Sequence, residues 1–293
     1  MLISPLDPSQ RTEWPAPAKL NLMLHVTGRR ADGYHELQTV FQLLDLCDTV
    51  AITLRDDGRI ERPQGAIGVP PAADLAVRAA QALREHTGTA LGANLFVTKR
   101  IPMGGGLGGG SSDAATTLVA LNQLWSTGLD CDELAALGGK LGADVPVFVR
   151  GASAWAEGTG ERLRPLSLPE AWYVIVHPGV SVPTGEIFQA SELTRNSPLT
   201  TIRGFFATGG RNDCEPVVRS RYPAVADALT WLARCAPARL TGTGSCVFAR
   251  FGTAVEAERV AARVPDTWSS FVARGVDESP LMIELHRWGV AKW

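Results

Sequence analysis

Pro102-Met103-Gly104-Gly105-Gly106-Leu107-Gly108-Gly109-Gly110-Ser111-Ser112-Asp113 carries six glycines in the seven positions from Gly104 to Gly110. A run so poor in side chains exposes its backbone amides, and successive backbone N–H groups are what wraps an anion. Asn94-Leu95-Phe96-Val97-Thr98-Lys99 just before it reads as a strand, and Ala114 to Leu124, rich in Ala and Leu, reads as a helix. The loop therefore opens a helix. Free N–H groups and about half a positive charge at a helix N-terminus favour a phosphate there, so the stretch reads as a nucleotide phosphate site.

Gly104, Gly106 and Gly109 also satisfy the dinucleotide spacing G-x-G-x-x-G. That fold needs a second apolar strand ending in an acid about 20 residues on, and Leu124-Trp125-Ser126-Thr127-Gly128-Leu129 before Asp130 is no such strand. A Walker loop would place its Lys at Gly110. Phosphate charge must then be met by the helix, a metal and lysines from elsewhere. Lys99 beside the loop is one candidate, and Ser111 and Ser112 offer hydroxyls to phosphate or Mg²⁺.

The 293 residues have room for two modest domains. Lys plus Arg number 28 against 30 Asp plus Glu, a net charge of −2, so no basic excess draws the chain to nucleic acid or an anionic membrane. Met1-Leu2-Ile3-Ser4-Pro5-Leu6-Asp7-Pro8 has no basic leader with an apolar run, and no 18-residue apolar stretch occurs; a cytoplasmic protein is expected. The five cysteines (Cys47, Cys131, Cys214, Cys235, Cys246) are scattered and without a C-x-x-C pair, which predicts buried, inert thiols rather than a zinc site or disulfides. Nothing in the sequence fixes an oligomeric state.

Strands and helices alternate along the chain. Leu20 to Val26, Val50 to Leu54, Val145 to Val149, Trp172 to His177 and Cys246 to Arg250 read as strands; Asp74 is positioned to cap a helix reaching His86, and Asp130-Cys131-Asp132-Glu133 to start one ending near Gly138-Gly139. Glu157-Gly158-Thr159-Gly160-Glu161 is turn-rich and marks the expected handover between halves. Thr241-Gly242-Thr243-Gly244-Ser245 is a second loop of glycines and hydroxyls, suited to closing a phosphate site from the other half.

Four ordered segments, Pro17-Ala18-Lys19-Leu20-Asn21-Leu22, Pro102 to Ser112, Leu141-Gly142-Ala143-Asp144-Val145-Pro146-Val147-Phe148 and Leu240 to Ser245, resemble the galactokinase, homoserine kinase, mevalonate kinase and phosphomevalonate kinase (GHMP) superfamily from end to end. Gly28-Arg29-Arg30-Ala31-Asp32-Gly33-Tyr34-His35-Glu36-Leu37 is similar to the signature of one branch, the 4-diphosphocytidyl-2-C-methyl-D-erythritol kinases of non-mevalonate isoprenoid synthesis; homoserine or mevalonate phosphorylation is the alternative. The resemblance implies a two-domain α+β fold. Residues 1–160 would form a nucleotide domain like ribosomal protein S5 domain 2 and residues 161–293 a ferredoxin-like substrate domain. It also implies ATP and Mg²⁺ as cofactors and a small-molecule acceptor with a cytidine diphosphate group, phosphorylated at its 2-hydroxyl. Asp113 departs from it, since some relatives are expected to have Asn there; an acid in the first turn suits the helix dipole but opposes a nearby phosphate.

An alcohol needs its proton accepted and its oxygen held in line with the γ-phosphorus. Asp144, a short acid after a Gly-Ala turn, is the candidate base, with Lys19 at the mouth of the first strand as its partner and the stabiliser of the moving phosphoryl charge. Asn21 is a candidate amide donor to substrate. By the resemblance, Tyr34 and Phe188 would stack on the two faces of cytosine and His35 would bind its edge. Thr184, in Val182-Pro183-Thr184-Gly185, would stand near the acceptor's phosphate or polyol, or else cap a helix starting near Glu186.

Overall fold

The computed structural model describes residues 10–290 and residue 293, so the Met1 to Pro8 stretch lies outside it. A long antiparallel hairpin, β1 (Thr12–Arg29) and β2 (His35–Arg55), comes first, turned at Gly33 with φ 89°. β3 (Ile60–Gln64), α1 (Leu75–Thr87), β4 (Gly92–Thr98) and α2 (Gly109–Leu124) follow, then α3 (Cys131–Gly139), α4 (Val145–Arg150), β5 (Ala154–Gly158) and β6 (Arg162–Pro165). The second half runs β7 (Trp172–His177), α5 (Thr184–Gln189), α6 (Ile202–Thr208), α7 (Glu215–Arg221) and α8 (Pro223–Ala233). It closes with β8 (Ala238–Leu240), β9 (Val247–Phe251), α9 (Ala254–Ala261), β10 (Ser269–Val276) and α10 (Pro280–Arg287).

Helix starts fall where short acids satisfy free amides. Asp74 accepts the Ala76 N–H at 2.8 Å ahead of α1, and Asp130 with Glu133 forms a reciprocal capping box on α3. The strand expected at Val145 to Val149 is instead the helix α4. Its five apolar residues are fully buried, and a short buried apolar run has no periodicity to separate helix from strand. Pro146 in the first turn decides it, because a proline there loses no helical hydrogen bond.

Strand β2 is the hub of the sheet. It pairs with β1 along its length, with β5 at Leu37 to Phe41, with β10 at Leu43 and Leu44, and with β4 from Thr49 to Arg55. The β10 contact carries the sheet into the second half, where β10, β7, β9 and β8 follow in order. The turn-rich stretch at residues 157–161 is the bend of the β5–β6 hairpin, so both arms stay on the first half's sheet. Four apolar clusters result among the described residues, the smallest being Met23, Val40, Trp155 and Phe205. One underlies α1 to α4, and α10 returns to it with Leu281, Met282, Leu285 and a stack of Trp288 on Trp14. A second fills the other half around Val174, Leu229 and Leu240. The third lies between them and includes Leu20, Ile101, Leu107, Tyr173 and Cys246, so the entry to the glycine loop and its central leucine are rooted where the halves meet.

Among the described residues no helix is long and apolar enough to cross a membrane, and all five cysteines are free thiols. Burial pushes Cys47 and Cys214 up to about 12, which keeps them protonated.

Candidate active site

The glycine loop lies against the second loop of glycines and hydroxyls. Ser245 and Cys246 donate their N–H groups to the carbonyls of Gly104 and Gly105 at 3.1 and 3.0 Å, Thr241 Oγ1 donates to Gly106 O at 3.3 Å, and Lys19 N to Leu107 O at 3.0 Å. The carbonyls thus point into protein, while the amides of Gly106, Leu107 and Gly108 find no acceptor among the described residues. Such amides, continued by the start of α2, form an anion cradle. Gly106 has φ 77°, and a Cβ there would stand 2.3 Å from Thr241 O; at Gly108, φ 74°, it would stand 2.8 Å from the Phe148 ring. Glycine is required at both places by backbone sign and by space.

A single cavity of about 930 Å³ runs from this loop to the β1–β2 turn. Its wall includes Lys19, Asn21, Tyr34, His35, Lys99, Asp144, Thr184 and Phe188 together with Pro102 through Ser111. Ser112 is the one expected site residue outside it. The start of α2 turns it into the core, fully buried, where Oγ has no hydrogen-bond partner, which leaves Ser111 as the loop hydroxyl facing the cavity.

Lys19 and Asp144 meet where β1 passes under the loop. The register of β1 against β2 shifts between Pro17 and Lys19, and such irregularities re-aim side chains. Lys19 Nζ stands 3.2 Å from Asp144 Oδ2 and donates to Asn21 Oδ1 at 2.5 Å, above the Phe41 ring with its centroid at 5.4 Å. Asn21 Nδ2 donates to Thr39 Oγ1 at 2.8 Å, and the Asn21 N–H to Thr241 Oγ1 at 3.0 Å. Asn21 is therefore first a brace for Lys19, with one amide hydrogen left for a ligand. The Lys19 side chain is 4% exposed and that of Asp144 33%: the ammonium is fixed and the carboxylate is open to the cavity.

Lys99 has a different setting. Asp48 and Asp113 both bind its ammonium, Asp113 Oδ2 at 2.5 Å, and Asp48 also accepts the Ile101 N–H at 2.7 Å. The expected phosphate lysine is thus already neutralised by two carboxylates. Its two charged neighbours raise its pKa against the opposing effect of burial. One lysine cannot offset two buried carboxylates, and burial, reinforced by the nearby Asp48 charge, pushes the Asp113 carboxyl up to about 7. Helix α2 begins at Gly109, so Asp113 lies past the first turn, not in it.

On the acceptor side, His35 stacks on Phe188, with centroids 5.1 Å apart and rings at 28°. Tyr34, at the tip of the β1–β2 turn, is 66% exposed; no core element reaches it. Thr184 is the first residue of α5 and makes no capping bond, and its Oγ1 meets Thr243 Oγ1 at 2.9 Å. No local pattern in the sequence marks Asp48 or Arg195 as neighbours of the site. Arg195 Nε donates to His35 Nε2 at 3.2 Å.

This arrangement, an anion cradle beside a buried lysine and an open carboxylate, is that of a small-molecule kinase, and the family models agree. GHMP kinases N terminal domain matches residues 74–152, and GHMP kinases C terminal matches residues 196–270. Curated relatives named 4-diphosphocytidyl-2-C-methyl-D-erythritol kinase are 58% identical in Halorhodospira halophila (93% of this chain, 96% of that one) and 55% in Nitrosococcus oceani (94% and 99%). A crystal structure of 4-(cytidine 5'-diphospho)-2C-methyl-D-erythritol kinase superposes with a TM-score of 0.79 at 34% identity, covering 90% of this chain and all of that one. Homoserine kinase from Cytophaga hutchinsonii, at 17% identity over 95% of this chain and 98% of that one, shares the fold with a TM-score of 0.66. The chain belongs to the GHMP kinases, and within them to the 4-diphosphocytidyl-2-C-methyl-D-erythritol kinase family.

Proposed function

We propose that the chain transfers the γ-phosphoryl group of ATP to the 2-hydroxyl of 4-diphosphocytidyl-2-C-methyl-D-erythritol, with the glycine loop holding the nucleotide phosphates and His35, Phe188 and Tyr34 holding the cytidine end. The observation that carries it is the Lys19–Asp144 pair, 3.2 Å apart, on the wall of a cavity that reaches both the loop and His35. Asp144 accepts the proton of the attacking hydroxyl. Lys19, braced by Asn21, keeps the carboxylate oriented and stabilises charge on the phosphoryl group in flight, since phosphoryl transfer is mainly a matter of positioning and electrostatics. The unpaired amides of Gly106 to Gly108 supply the donors on the nucleotide side.

Mg²⁺ takes few protein ligands and completes its shell with phosphate oxygens and water. Ser111 Oγ, a hard oxygen on the cavity wall near Gly142, fits that demand and would help hold the ion. When bound with ATP, the ion neutralises phosphate charge.

The test is ADP release from Mg-ATP with 4-diphosphocytidyl-2-C-methyl-D-erythritol, mevalonate and homoserine in parallel. Turnover is expected with the cytidylyl acceptor alone. Faster turnover of mevalonate or homoserine would overturn the proposal.

A further inference from the structure

The acceptor end contains one contact that no catalytic step uses. Arg195, in the turn after α5, directs its guanidinium at four acceptors. Nη2 donates to Phe188 O at 2.9 Å and Ala190 O at 2.6 Å, Nη1 to Leu193 O at 3.2 Å, and Nε to His35 Nε2 at 3.2 Å. The three carbonyls belong to the end of α5 and the turn beyond it, where helical acceptors are left over. The fourth bond crosses from the second half to the first residue of β2. It therefore ties the Phe188 helix and the His35 turn into one unit, with the two rings stacked between them.

A guanidinium has donors only. The nitrogen that meets it must present a lone pair, so His35 Nε2 carries no proton and the neutral ring keeps its hydrogen on Nδ1. Nδ1 has no protein partner among the described residues, and His35 lines the cavity. We propose that Arg195 is a positioning residue for acceptor recognition: it fixes the tautomer and plane of His35, so that a hydrogen-bond donor at Nδ1, not an acceptor, is offered to the base. This rests on the acceptor reading above. A fixed donor selects a base edge that presents an acceptor, as the N3 and O2 side of a cytosine ring does, and disfavours one that presents an N–H there. Partial burial, reinforced by the neighbouring positive charges of Arg195 and Arg29, holds His35 below the ordinary histidine range, which favours this neutral form of the ring.

The probe is CDP, titrated calorimetrically into wild type, Arg195→Met, His35→Ala and the double variant. Arg195→Met is expected to weaken CDP by about tenfold, the scale of one hydrogen bond, with ATP affinity unchanged. In the His35→Ala background the same change should cost almost nothing, because the interaction it acts through is gone. An equal loss in both backgrounds would mean that Arg195 only holds the turn after α5, and would overturn the proposal; so would no loss in either. Long-range ¹H–¹⁵N spectra of the imidazole need no ligand and test the protein side alone. Nδ1–H is expected in wild type and a tautomer mixture in Arg195→Met, whereas Nε2–H in wild type would overturn the proposal. If the Nδ1–H tautomer is found but His35→Ala leaves CDP binding intact, the acceptor reading fails while the assignment of the ring stands.

Discussion

Lys19 and Lys99 stand on the wall of one cavity beside the same glycine loop, yet they sit in opposite electrostatic settings. Lys19 faces one carboxylate, Asp144, and the neutral oxygen of Asn21, so the group is balanced and Asp144 is left open. Lys99 faces two carboxylates, Asp48 and Asp113, both buried, so its charge is taken up within the fold. The difference lies in the count of fixed partners, not in distance from the phosphate loop. In the proposed mechanism the Lys19 corner does the chemistry, and the Lys99 corner ties β2 to α2 beside the end of β4.

The largest expected effect falls at the Lys19 corner. Asp144→Asn keeps size and removes the base, and general-base help is worth about 10²–10⁴-fold; kcat should fall by that factor while calorimetric affinities for ATP and acceptor stay near wild type. A kcat above about a tenth of wild type would remove Asp144 from this role, because that loss lies outside the range.

At the other corner the expected effect is on stability. Lys99→Met leaves two buried carboxylates facing each other, and breaking a buried ion pair from one side costs about 3–5 kcal/mol. Urea unfolding at pH 7 should show it, and a loss below about 1 kcal/mol would mean that the triad is solvated, as exposed pairs are.

Between the corners, Gly106→Val places a β-branched residue at φ 77° with its Cβ 2.3 Å from Thr241 O. A side chain in that backbone region costs about 1–3 kcal/mol, so ATP affinity should weaken about tenfold or more, with CDP affinity nearly unchanged. Equal weakening of both ligands would show that the loop does not distinguish the two ends of the cavity.

The smallest effect is a pH dependence. Asp113 holds its proton more tightly in the folded chain than an ordinary carboxyl does, with its value pushed up to about 7. Such a group stabilises the fold at low pH and loses that contribution as the pH rises through its folded value. From about pH 4 to about pH 7 the wild-type Tm should therefore fall relative to that of Asp113→Asn, which has no proton to lose. Parallel curves for the two proteins would place Asp113 outside the titrating set.

Local signals were legible in the sequence and long-range partners were not. The strand, loop and helix around Gly104 to Gly110, the Asp74 cap and the Asp130 capping box are written in neighbouring residues, and the structure has them there. Val145 to Val149 misread as a strand because a short buried run has no period, and Pro146 in the first turn was the only local cue. Asp48 was invisible as a partner of Lys99 because the antiparallel register of β2 on β4, Thr49 opposite Thr98, is what puts the two side by side. His35 against Phe188 is likewise a product of tertiary packing. The cavity gathers every expected site residue but Ser112, whose side chain the geometry of α2 directs inward.

The central claim is that Lys19 acts in the reaction and Lys99 in the fold. Single-turnover phosphoryl transfer, with both substrates saturating, separates them directly when Lys19→Met and Lys99→Met are compared at a temperature where both are folded. Lys19→Met should transfer at least about a hundredfold more slowly than wild type, by loss of transition-state charge stabilisation, with little change in Tm. Lys99→Met should transfer within about tenfold of wild type, far less than a lost catalytic group costs, and should melt well below it. A normal transfer rate in Lys19→Met, or a Lys99→Met protein that melts like wild type and cannot transfer, would contradict the account.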